Sequence, residues 1–127
     1  MAERILVAED DESIRVMVER LLIRHGYTVV AVQNGGEAIE KIAHEQYDAV
    51  LLDFMMPVAG GFDVIDWMFE NRPDAAKACV IVVTAAISEL KTFDASRVFA
   101  VIKKPFDIDD LLATVDRCVQ AKLPIKA

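Results

Sequence analysis

The residues best suited to chemistry are acids, one hydroxyl and a lysine, each placed at the end of a short apolar run. Glu9, Asp10 and Asp11 follow Ile5-Leu6-Val7-Ala8, and Asp53 follows Ala49-Val50-Leu51-Leu52. Thr84 follows Cys79-Val80-Ile81-Val82-Val83, and Lys104 comes soon after Phe99-Ala100-Val101-Ile102. If each run is a strand of one open α/β sheet, these residues share the carboxyl edge, where such sheets bind ligands. Carboxylates gathered there repel. At about 4 Å and an effective dielectric near 20, each like-charged pair costs roughly 4 kcal/mol. A proton or a cation must relieve that. Oxygen donors without clustered Cys or His suit a hard ion such as Mg²⁺. A carboxylate beside a cation and an ammonium can also accept a phosphoryl group, because the positive charges neutralise its oxygens.

The elements that must position these groups are legible in the hydrophobic pattern. Strands apolar at every position are covered on both faces, which implies a parallel sheet between helix layers. Thr28-Val29-Val30-Ala31-Val32 supplies a further strand. Between strands, apolar residues recur at helical spacing. Ile14, Met17, Val18, Leu21 and Leu22 form the inward face of a first helix, with Asp11 or Ser13 as N-cap and Gly26 as its stop. A second helix, after the Asn34-Gly35 break, turns Ala38, Ile39, Ile42 and Ala43 inward, and a third carries Phe62, Ile65, Met68 and Phe69. A weakly marked helix is expected within 88–96. A last one starts after Asp107 and buries Ile108, Leu111, Leu112, Val115 and Val119.

The chain has 127 residues, 54% of them hydrophobic, which predicts one domain over 1–127 with a short tail from about 122. The net charge of −7 argues against nucleic acid and against an anionic membrane surface. No apolar run reaches the roughly 20 residues of a membrane span, and the first residues do not read as a signal peptide. The expected location is the cytoplasm. Cys79 and Cys118 are expected as reduced core residues, and His25 and His44 as surface residues. Lys103 should face solvent, since neighbouring strand residues point to opposite faces. Trp67 receives no role.

Taken together, Leu6-Val7-Ala8-Glu9-Asp10-Asp11, Leu51-Leu52-Asp53-Phe54-Met55-Met56-Pro57, Val82-Val83-Thr84-Ala85 and Lys104-Pro105-Phe106 resemble a response-regulator receiver domain of two-component signalling, over nearly the whole chain. The resemblance implies a doubly wound, flavodoxin-like α/β fold with five parallel strands in the order 2-1-3-4-5. It implies a switch rather than a general enzyme, catalysing only its own phosphoryl transfer and slow autodephosphorylation. Asp53 would be the phospho-acceptor. Asp10, Asp53 and the Met55 backbone carbonyl would hold Mg²⁺ (or Mn²⁺), with Glu9 acting mostly through water. Thr84 would hydrogen-bond the phosphoryl group, Lys104 would pair with Asp53 and then with the phosphoryl oxygens, and the Lys104-Pro105 bond would be cis.

The implied donor is a histidine kinase or a histidine phosphotransfer domain. The receiver of that signal, a separate protein or a tethered effector, is left open, as is homodimerisation through the face around the fourth and fifth helices. The family often has an aromatic residue three positions before the lysine. Here it is Val101, so a docking module that works without phosphorylation stays as an alternative. Two other classes fit less well. A flavin or nucleotide site needs a Gly-, Ser- or Thr-rich cradle after the first strand, where this chain has Glu9-Asp10-Asp11-Glu12. A phosphohydrolase with its nucleophile after that strand would want a second Asp where Glu12 stands.

Overall fold

The computed structural model describes residues 3–54, 56, 59–72, 79–84 and 95–122. The element order is β1 (Arg4–Ala8), α1 (Glu12–Arg24), β2 (Thr28–Val32), α2 (Gly35–His44), β3 (Ala49–Asp53), α3 (Gly61–Asn71), β4 (Val80–Thr84), a 3₁₀ turn (Ala95–Arg97), β5 (Ala100–Lys103) and α4 (Ile108–Lys122). The expected helix within 88–96 falls largely outside the described residues.

All four strand pairings are parallel, and the order is β2-β1-β3-β4-β5. The three central strands are apolar because both faces of the sheet are covered: β3 and β4 are buried at every position. Ile5, Leu6, Leu52, Val80, Ile81 and Val82 are wholly inaccessible. α2 packs against α3. α1 shares the other face with α4, where the Tyr27 hydroxyl and His25 Nε2 both reach the Asp116 carboxylate. None of the described helices is long and apolar enough to cross a membrane.

Local signals account for where the helices begin. Asp11 Oδ1 accepts from the Ile14 amide at 3.1 Å, Asn34 Oδ1 from the Glu37 amide at 2.8 Å, and Asp107 Oδ1 from the Asp109 amide at 2.8 Å. Gly26, at φ +106°, takes the left-handed turn that ends the first helical segment.

Three inward assignments are corrected. Ala43 is exposed, and Met17 and Ile108 are 40% and 42% exposed. Ile108 is the first residue of α4, and it meets Met17, Pro105 and Phe106 in an open apolar groove instead of the core. β5 is shifted one residue from expectation: Phe99 precedes it, and Lys103 closes it, exposed.

Candidate functional site

The sheet brings the acids together because β1 and β3 are neighbours in parallel register, Ala8 opposite Leu52. The residues that follow, Glu9 and Asp53, therefore emerge side by side, at 4% and 6% exposure. With the exposed Asp10 they form, among the described residues, a group whose ligand oxygens lie within 4.8 Å of one another. Phe54 N donates to Val83 O at 3.1 Å, so the sheet holds the chain one residue past Asp53.

Lys104 enters from the far side. Its own amide bonds Thr84 O at 2.9 Å, carrying the β4–β5 ladder past Lys103. Its Nζ reaches Glu9 Oε1 at 2.8 Å and Asp53 Oδ1 at 3.5 Å. The sequence reading paired Lys104 with Asp53; the nearer partner is Glu9. The second Glu9 oxygen accepts from the Asp11 amide at 3.2 Å, so Asp11 caps α1 and also steadies Glu9. Thr84 is wholly buried at the end of β4, and the Lys104-Pro105 peptide is cis. Val101 lies half-buried on β5. Met55 lies outside the described residues. Cys79 and Cys118 are buried and reduced. His25 and His44 are both exposed, as expected, and His25 also pairs with Asp116.

The electrostatics follow from this crowding. Burial pushes the Asp53 carboxyl up to about 7, reinforced by the hydrogen bond and charge of Glu9 and opposed by the Lys104 ammonium. Burial works against the Lys104 charge, but Glu9 and Asp53 outweigh it and hold the ammonium above its ordinary value. One lysine does not balance three clustered acids. The donor set fits a hard divalent cation: all ligands are oxygens, two are buried, and their spacing suits bonds of about 2.1 Å made directly or through water. Among the described residues, Glu9 and Asp53 also line a small void of about 10 Å³ with Ile14, Phe106 and Leu111.

One contributor escaped the sequence reading. Arg15 Nη1 donates to the carbonyl oxygens of Glu9 and Asp10, at 3.0 and 3.4 Å. A side chain bonding to backbone leaves no spacing motif. The available signal was a long cation in the first turn of a helix, where side chains lean back toward the preceding loop.

Known proteins agree with this geometry. Residues 5–116 match the response regulator receiver domain family. The chain is 33% identical over 119 residues to the response regulator receiver protein CpdR of Brucella abortus, covering 94% of this chain and 98% of that one. It is also 33% identical over 126 residues to the response regulator MprA of Mycolicibacterium vanbaalenii, but spans only 53% of MprA's length against 98% of its own. Among solved structures, the response regulator TrrA of Thermotoga maritima, in complex with Mg²⁺-BeF, superposes with a TM-score of 0.79 at 29% identity, covering 91% of this chain and 98% of TrrA. The strand order, the acidic cleft closed by a lysine and these matches lead to one conclusion: the chain belongs to the response regulator receiver domain family.

Proposed function

We propose that this receiver is a switch set by phosphorylation of Asp53. Receiver domains are signalling modules of two-component systems. The observation that carries the reading is the buried Asp53 carboxylate, pressed between Glu9 and the Lys104 ammonium at the edge of the central strands. In that reaction an Asp53 oxygen attacks the phosphorus of a donor phosphohistidine in line. The phosphorus–oxygen bond forms as the phosphorus–nitrogen bond breaks, and the imidazole leaves. Lys104 shifts from Glu9 toward the incoming phosphoryl oxygens, and the Thr84 hydroxyl donates to one of them. Asp10 and Asp53 would hold Mg²⁺, with Glu9 acting through water, and the ion would supply further positive charge to those oxygens.

The donor must bring its phosphorus to Asp53, so it must rest on the rim of the cleft. An apolar groove of about 400 Å³, lined by Ile14, Met17, Pro105, Phe106 and Ile108, opens beside Lys104. We assign it to the phosphohistidine-bearing helix of a kinase or phosphotransfer domain, whose apolar face would cover Met17 and Ile108.

The test is intact mass after incubation with acetyl phosphate. A gain of one phosphoryl group that needs Mg²⁺ and is lost in Asp53→Asn supports the switch. Uptake by Asp53→Asn at the same peptide refutes the acceptor. A second reading, docking without phosphorylation, draws on Val101, which carries no ring or hydroxyl to rotate in response to Thr84. It predicts partner binding that Asp53→Asn leaves unchanged.

A further inference from the structure

We propose that Arg15 is a positioning residue for the acidic cleft: by bonding the carbonyl oxygens of Glu9 and Asp10, its guanidinium fixes the loop that aims those two carboxylates at Asp53. The inference rests on the metal-assisted reading of the site and adds to it a residue outside the ligand set.

The loop between β1 and α1 is short and heavily charged. Two of its amides are already committed: Glu9 N donates to Val32 O at 3.1 Å, and Asp11 N to Glu9 Oε2 at 3.2 Å. The Glu9 side chain is committed as well, to Lys104. The carbonyls of Glu9 and Asp10 face the start of α1, where Arg15 N already bonds Asp11 O at 2.9 Å. The helix fixes the Arg15 backbone, and the side chain leans back across the first turn to span both carbonyls with one nitrogen. A carbonyl held at each of two successive residues leaves the peptide plane between them little freedom. That plane sets the direction in which the Asp10 side chain departs. Groups that orient metal ligands from behind commonly change metal affinity by 10–100-fold when removed.

Position and charge predict opposite signs. Arg15 adds a positive charge near a site for a dication. If charge were its whole contribution, Arg15→Ala would tighten Mg²⁺ binding, and Arg15→Lys would match the wild type. If it orients the loop, Arg15→Ala weakens Mg²⁺ binding, by roughly tenfold or more. Arg15→Lys then also binds more weakly than wild type, because its ammonium ends one atom nearer the backbone than Nη1, the nitrogen that reaches both carbonyls, and lacks the rigid guanidinium plane that aims it.

The experiment is calorimetric titration of the full chain with MgCl₂, for wild type, Arg15→Ala, Arg15→Lys and Arg15→Gln, each with a urea unfolding curve taken without metal. Weaker binding in Arg15→Ala and Arg15→Lys at a preserved urea midpoint supports the role. Unchanged or tighter binding in Arg15→Ala overturns it, and so does a lost midpoint with Mg²⁺ affinity intact. If Arg15→Ala fails to fold, Arg15→Lys and Arg15→Gln decide on the same criterion. A wild type that binds no Mg²⁺ overturns the reading of the site itself, whereas a wild type that binds, with an unaffected Arg15→Ala, overturns Arg15 alone.

Discussion

Asp53 is held in two conflicting ways, and the conflict sets its pH behaviour. Its pKa in the folded state is raised to about 7, first by burial and then by Glu9, against about 4 in an unfolded chain. The folded protein therefore binds the proton more tightly than the unfolded chain does. By linkage, this stabilisation is complete below pH 4 and is lost as pH rises through about 7. The metal-free protein should show a urea midpoint that declines between about pH 5 and 7.5 and levels off above, and Asp53→Asn should flatten that decline. Asp116 has the opposite sign. Burial disfavours its charge, but bonds from Tyr27 and His25 outweigh burial and hold it low. Its contribution is present above the ordinary carboxylate range and is lost only in acid, outside that window. Because a proton and a cation compete for the same Asp53 oxygens, Mg²⁺ affinity should fall as pH drops below about 7. Titrations at pH 6 and 8 would show this. The residues of the cleft were legible because each ends an apolar run. Their pairing was not: whether Lys104 lies nearer to Glu9 or to Asp53 depends on how β5 leaves the sheet, which no spacing records.

Helices and turns carry their own constraints. Gly35, the first residue of α2, donates its amide to Ala59 O at 3.0 Å, and a Cβ placed on it would lie 2.0 Å from that same oxygen. The clash is with backbone, so either α2 or the loop before α3 must move. Gly35→Ala should cost about 1–3 kcal/mol, read as a lower urea midpoint, with no change in the ligand set of the cleft. Sequence reasoning took Asn34-Gly35 as a break and stopped there; that the glycine admits another loop is a tertiary fact. The same limit explains the misplaced helix faces. Met17, Ala43 and Ile108 sit at helical spacing with true core residues, but spacing identifies a stripe and not its edges. Ile108 lies at the very start of α4, where the helix has not yet reached the sheet.

Across the whole molecule, hydrophobic pattern was enough to predict a parallel sheet covered on both faces, because apolar runs such as Val80-Ile81-Val82-Val83 admit no solvated side. It was not enough to order the strands; the order 2-1-3-4-5 came from the family resemblance, and the pairing of β1 with both β2 and β3 bears it out. The two exposed apolar residues beside the cleft, Met17 and Ile108, belong to elements far apart in the chain and form one groove only after folding. If that groove seats the donor, Ile108→Asp should slow phosphotransfer from a kinase or phosphotransfer domain while leaving acetyl phosphate labelling unchanged. Measuring both donors on one variant separates docking from chemistry.

The bond from Lys104 to Glu9 joins residues 95 positions apart. During synthesis the acids of β1 and β3 leave the ribosome well before the strand that delivers the ammonium. A nascent chain therefore presents Asp53 without the ammonium that completes its cleft; if Asp53 is the phospho-acceptor, a donor that met it then would find an acceptor not yet equipped to hold a phosphoryl group. The cleft is complete only once β5 has emerged and paired, and that order is written into the connectivity of the sheet.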